Sequence, residues 1–79
     1  MNQKKSLIVD LKYIFKKELK IKVGENSKLL DFKRWDSLGN FNILLACERK
    51  FKIKFSNREF SNLKSFKEIF KVVKKKIKN

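Results

Sequence analysis

Three segments of this chain space their apolar residues at helical intervals, and that periodicity most constrains its fold. In residues 4–19, Leu7, Ile8, Leu11, Ile14, Phe15 and Leu19 make one broad stripe. Val9 and Tyr13 fall off the stripe and are expected to be partly exposed. In residues 37–51, Ile43, Leu44, Cys47 and Phe51 form one stripe, while Leu38, Phe41 and Leu45 form a second on roughly the opposite side. One of these sides can face a core, and the other needs a second use. Toward the C-terminus, Phe66, Ile69, Phe70, Val73 and Ile77 line one side of a helix running to about residue 78. The pattern predicts an all-α fold, a small four-helix bundle with three main helices, one short helix and a long first loop. It occupies residues 1–79 as a single domain.

Local signals mark the helix boundaries. Asp36 is well placed as an N-cap, where a carboxylate accepts from free backbone N–H groups and faces the positive helix end. Ser56-Asn57-Arg58-Glu59 and Ser65-Phe66-Lys67-Glu68 both read as capping boxes, the first opening a short helix through about residue 62. Residues 20–35 hold a turn cluster at Gly24, Glu25, Asn26 and Ser27, then Leu29, Leu30, Phe32 and Trp35 without a clear period. These apolar residues are expected to pin the loop across helix ends, with Trp35 as an anchor. A short strand over residues 20–23 is the alternative, without an obvious partner. Gly39 costs its helix up to ~1 kcal/mol relative to alanine, and is expected to let a partner or a prosthetic arm approach the backbone.

Composition excludes several function classes. A chain of 79 residues buries only roughly 60% of its unfolded surface, which leaves little material for an elaborate active site. There is no histidine, and Cys47 is the sole cysteine, so disulfide frameworks, zinc knuckles and histidine-based triads are out. Two glycines cannot build a glycine-rich phosphate loop. No apolar run has the length of a membrane span and no signal-peptide core is present, so the expected compartment is cytoplasmic. Cys47 lies on the core stripe and reads as a small buried apolar residue.

The net charge is +14, yet 19 of the 22 basic residues are lysine. Only Arg34, Arg49 and Arg58 can fork onto phosphates or guanine edges. Lysine, asparagine, isoleucine and phenylalanine are all frequent and all can be spelled by AT-rich codons. The charge therefore speaks more to salt sensitivity than to function.

Ser37 follows the Asp36 cap directly, so its hydroxyl is expected to be exposed near helix-end N–H groups that favour an incoming phosphate. With no histidine to act as its base, it is a poor hydrolase nucleophile and a plausible acceptor for a group delivered by another enzyme. Asp-Ser is otherwise an ordinary helix start.

The run Trp35-Asp36-Ser37-Leu38, followed by Leu44-Leu45-Ala46, Glu48, Phe51, Ile53 and Phe55, resembles the acyl carrier protein family. The resemblance covers residues 35–77, including the short helix after Phe55 and the helix led by Ser65. The first helix and loop agree in length and placement without a shared motif. The resemblance implies a helical carrier domain that is not itself an enzyme. Ser37 would carry covalent 4′-phosphopantetheine, delivered from coenzyme A by a phosphopantetheinyl transferase that holds magnesium. The thiol of that group would carry an acyl or aminoacyl cargo as a thioester among acyl-activating and acyl-transferring enzymes. Asp36 would cap the helix and help the transferase engage. Leu38, Phe41, Asn42, Leu45, Glu48 and Arg49 would form the surface that selects partners. For Phe41 and Leu45, packing against the long loop is the competing use.

The chain departs from the family in charge. Carrier proteins are typically acidic along the second helix, whereas here Asn42, Arg49 and Lys50 stand at places that are often acidic. The expectation is a specialised carrier, monomeric, whose dedicated partners bear acidic docking surfaces. The runner-up reading is a small basic helical protein that binds nucleic acid through lysine–phosphate contacts, against which stand the scarce arginines and the lack of a recognition helix. A third is contact with a membrane surface through residues 71–78, although the apolar stripe there is needed for the core.

Overall fold

The computed structural model describes the backbone of residues 3–77 and the side chains of residues 6–77. Four helices follow in order: α1 (Gln3–Leu19), α2 (Ser37–Phe51), α3 (Asn57–Asn62) and α4 (Phe66–Ile77). No strand forms among the described residues, and the all-α four-helix bundle expected from the periodicity is the observed one. No helix among them is long and apolar enough to cross a membrane.

The core is assembled from the predicted stripes. Leu7, Leu11, Ile14, Phe15 and Leu19 of α1 meet Ile43, Leu44 and Cys47 of α2 and Phe66, Ile69 and Val73 of α4. Val9 and Tyr13 are exposed, as their offset from the stripe requires. Phe15 is the aromatic hub. Its ring stands edge-on to Trp35 at 4.7 Å between centroids, and Phe66 approaches it at 5.9 Å. The stripe of α4 is shorter than its spacing suggests. Phe70 is half-buried and Ile77 is exposed, because Ile77 lies a full turn beyond Val73, the last fully buried residue of the helix. Lys78, at the expected helix end, lies outside the described residues.

Residues 20–36 pack onto the bundle instead of extending from it. The radius of gyration, 11.5 Å, is close to the ~11.6 Å expected of a compact chain of this length. Ile21, Val23 and Trp35 are buried. Leu29 N–H donates to the Lys64 carbonyl at 2.7 Å and Phe66 N–H to the Ser27 carbonyl at 3.0 Å, around an isolated antiparallel bridge between Lys28 and Ser65. The loop is thus stitched to the α3–α4 junction. The alternative strand over residues 20–23 does not form. Ile21 and Val23 turn inward and Lys20 and Lys22 outward, in strand fashion, but no neighbouring segment pairs with them.

The caps explain the boundaries. Lys20 and Lys52 adopt left-handed conformations after α1 and α2, at φ 59° and 58°. Without glycine these helix stops each cost roughly 1–2 kcal/mol. At Ser56 the capping box is complete: Glu59 N–H donates to Ser56 Oγ and Ser56 N–H donates to Glu59 Oε1. The second box differs from expectation. Glu68 N–H donates to Ser65 Oγ, but the Glu68 carboxylate accepts from Lys64 N–H instead of from Ser65, where the chain enters through the extended bridge to Lys28.

Candidate functional site

The start of α2 combines exposed side chains with a fixed backbone. Asp36 is extended, and its Oδ1 accepts the Gly39 N–H at 2.8 Å. Its carbonyl accepts the Asn40 N–H, also at 2.8 Å. Ser37 is the first helical residue and is exposed, and no hydrogen bond engages its hydroxyl among the described residues. Leu38 beside it is exposed. On either side of this exposed trio the chain is buried, at Trp35 before it and at Gly39 and Asn40 after it. The hydroxyl therefore projects from a backbone locked at both flanks, which is how a rigid element presents a reacting group.

Two residues make that lock. Asn40 is buried, and both ends of its amide are engaged. Its Oδ1 accepts the indole N–H of Trp35 at 2.9 Å and its Nδ2 donates to the Leu63 carbonyl at 2.8 Å. One side chain thus ties the loop, the start of α2 and the α3–α4 junction together. Sequence reasoning missed it. The available signal was a polar residue on the core side of α2, three before Ile43 and seven before Cys47. Gly39 is the second. A Cβ there would overlap the Arg34 carbonyl oxygen and crowd Leu19 Cδ2 at 3.1 Å and Asp36 Oδ1 at 3.3 Å. This corrects the expectation that Gly39 opens the backbone to a partner or arm. The space is already filled by the chain's own loop.

The outward face of α2 carries the other predicted site residues. Phe41 is exposed, with its ring 5.1 Å from that of Phe60 on α3, and Phe60 stands edge-on to Phe55 at 5.8 Å. Phe41 thus packs in part on α3. Leu45 is half-buried, and Asn42 and Arg49 are exposed. Glu48 contributes to the fold as well, since its Oε2 accepts the Phe55 N–H at 2.8 Å and so fixes the connector after α2. A shallow depression beside it is lined by Glu48, Arg49, Lys52 and Lys54, which leaves that end of the face cationic. Leu30, expected from the sequence to help pin the loop across the helix ends, is instead exposed. It sits at φ 75°, a strained conformation for leucine, and its N–H donates to the Trp35 carbonyl immediately before Asp36.

No group of three or more histidine, cysteine or acidic residues could hold a metal among the described residues. Cys47 is buried, and burial first, then the neighbouring Glu48 charge, pushes its thiol up to about 12, which keeps it protonated and inert near neutral pH. Asp36, next to Ser37, is occupied with capping α2. No protein-family model, curated protein or solved structure matches the chain.

Proposed function

We propose that this chain is an acyl or aminoacyl carrier protein in which Ser37 bears 4′-phosphopantetheine. One observation carries the reading: an exposed serine hydroxyl, free of hydrogen bonds within the described residues, begins α2 between its Asp36 cap and the exposed Leu38. The residues present fit such a group. A primary hydroxyl accepts a phosphodiester, the positive end of α2 favours the phosphate, and solvent lies on the outward side. On transfer from coenzyme A, the Ser37 O–H bond gives up its proton and a new Oγ–phosphorus bond forms. The phosphoanhydride bond breaks, and adenosine 3′,5′-bisphosphate leaves with the bonding electrons. The attached group supplies a terminal thiol that holds cargo as a thioester.

This chain's own residues position and select. Asp36 holds the first turn of α2, while Asn40 and Gly39 hold it against the loop. Leu38, Phe41 and Leu45 offer apolar contact to a partner, with Asn42 at its edge. Arg49, Lys52 and Lys54 give that face a positive field, so the partners that fit it carry acidic docking surfaces.

The test is the intact mass after incubation with coenzyme A, magnesium and a panel of phosphopantetheinyl transferases, with an acidic carrier in the same tube. A gain of one phosphopantetheine that Ser37→Ala abolishes is the expected result. The reading fails if the acidic carrier is modified to completion while this chain gains nothing from any transferase, or if the gain survives Ser37→Ala.

A further inference from the structure

A cleft away from the α2 face opens between α1 and α4. Ile8 of α1 and Phe66 and Phe70 of α4 form its apolar lining, and Lys67, Lys71 and Glu25 complete it. Its volume is about 250 Å³. It falls below the ~300–1,000 Å³ of pockets that take drug-sized ligands.

The charge around the cleft is one-sided. Lys67 and Lys71 lie one turn apart on the same side of α4, and neither has a carboxylate at salt-bridge distance among the described residues. The only acid in the lining, Glu25, stands 3.7 Å from Lys12 Nζ, so a third lysine offsets its charge. Lysine stems can lie along the apolar lining while their ammonium groups stay at the mouth. An uncharged occupant would leave those ammonium groups unused, and a cationic one would be repelled.

We propose that this cleft binds a single-chain anionic amphiphile, a fatty carboxylate, with its alkyl chain against Ile8, Phe66 and Phe70 and its head group at Lys67 and Lys71. The site involves neither Ser37 nor any group attached to it, so it stands or falls independently of the carrier reading.

Decanoate, kept below its micelle-forming concentration, is titrated into isotope-labelled full-length protein and followed by amide chemical shifts. Decyltrimethylammonium, with the same chain and the opposite charge, is the comparison ligand. Saturable shifts centred on Ile8, Phe66 and Phe70 are expected with decanoate and not with the cation. The double substitution K67E/K71E should weaken decanoate binding by about tenfold or more. K50E/K54E removes the same net charge elsewhere and should change it little. Ile8→Gln keeps every charge and should also weaken binding by removing one apolar wall. All three variants are first checked for wild-type helix content. The proposal is overturned if the two charge-reversed pairs weaken binding equally, which would mean general attraction to a protein of net charge +14. It is equally overturned by comparable binding of the cation, by shifts centred on Leu38 and Phe41, or by the absence of saturable binding.

Discussion

Replacing Asn40 by alanine should do more damage than any other single polar substitution in this protein. The side chain satisfies two buried groups at once, the Trp35 indole N–H and the Leu63 carbonyl. Removing it leaves both without a partner where water cannot readily reach, since Trp35 is fully buried and Leu63 nearly so. Each unsatisfied group costs about 1–3 kcal/mol, so Asn40→Ala should lose about 2–6 kcal/mol. Against that stands a total stability of roughly 4–12 kcal/mol for a chain of 79 residues, at ~0.05–0.15 kcal/mol per residue. Urea unfolding followed by Trp35 emission, with far-UV circular dichroism as the second probe, measures the loss. Asn40→Asp adds a check with a definite sign. It keeps an acceptor for the indole but turns an oxygen toward the Leu63 carbonyl. Burial and that carbonyl favour the protonated acid, raising its pKa in the folded state. Its stability relative to wild type should therefore be fullest below the unfolded pKa of ~3.9 and fall as pH rises through the folded value. A loss under ~1 kcal/mol for Asn40→Ala would refute the claim that this amide locks the start of α2.

Gly39→Ala gains up to ~1 kcal/mol of helix propensity but sets a Cβ against the Arg34 backbone carbonyl, which cannot swing aside, and overpacking of this kind costs ~1–3 kcal/mol. The Tm should fall by several degrees, roughly 4–8 °C per kcal/mol in a domain this size, and an unchanged or higher Tm in a thermal scan would mean the loop yields freely. Glu59 titrates below its ordinary value of 4.5, chiefly because its carboxylate accepts the Ser56 backbone N–H and also through Lys76 at 3.1 Å. A lowered folded-state pKa gives stability that is present above pH 4.5 and disappears as pH falls through the folded value. Glu59→Gln should accordingly be less stable than wild type at neutral pH, with the gap closing in acid, and a gap constant from pH 7 down through acid denaturation would contradict this origin.

The helices were legible because each apolar stripe has a partner of the same kind. Leu11 and Phe15, Ile43 and Cys47, and Ile69 and Val73 each lie four residues apart within one helix, and burial follows the spacing. The Asp36 and Ser56 caps were legible because their hydrogen bonds reach only three residues along the chain. What could not be read is long-range. Nothing near residue 28 announces that Lys28 will bridge Ser65, nor does Gly39 announce that the Arg34 carbonyl will press against it. Asn40 shows the same limit from the other side. Its place on the core face was visible, but its role depends on Leu63, which lies 23 residues away in sequence. At the candidate site, exposure of Ser37 and Leu38 followed from their position just after the cap. The anchoring of that position came from the loop and the α3–α4 junction, which local patterns do not describe.

The acidic residues explain why the surface stays so positive. Of the eight, five accept backbone N–H groups: Asp31 from Lys28, Asp36 from Gly39, Glu48 from Phe55, Glu59 from Ser56 and Glu68 from Lys64. Their charge is directed into turns and helix ends, and only two ion pairs with lysine form among the described residues. Most of the lysines consequently face solvent without a carboxylate partner. A long-range field of this kind adds little to fold stability, because exposed charges are screened within about 8–10 Å in ordinary salt. It does set which molecules approach quickly. On the proposed carrier reading, a partner of Ser37 would be selected by this field before any apolar contact with Leu38 or Phe41 is made. A carboxylate-rich partner surface would be drawn to this face and a basic one held off from it.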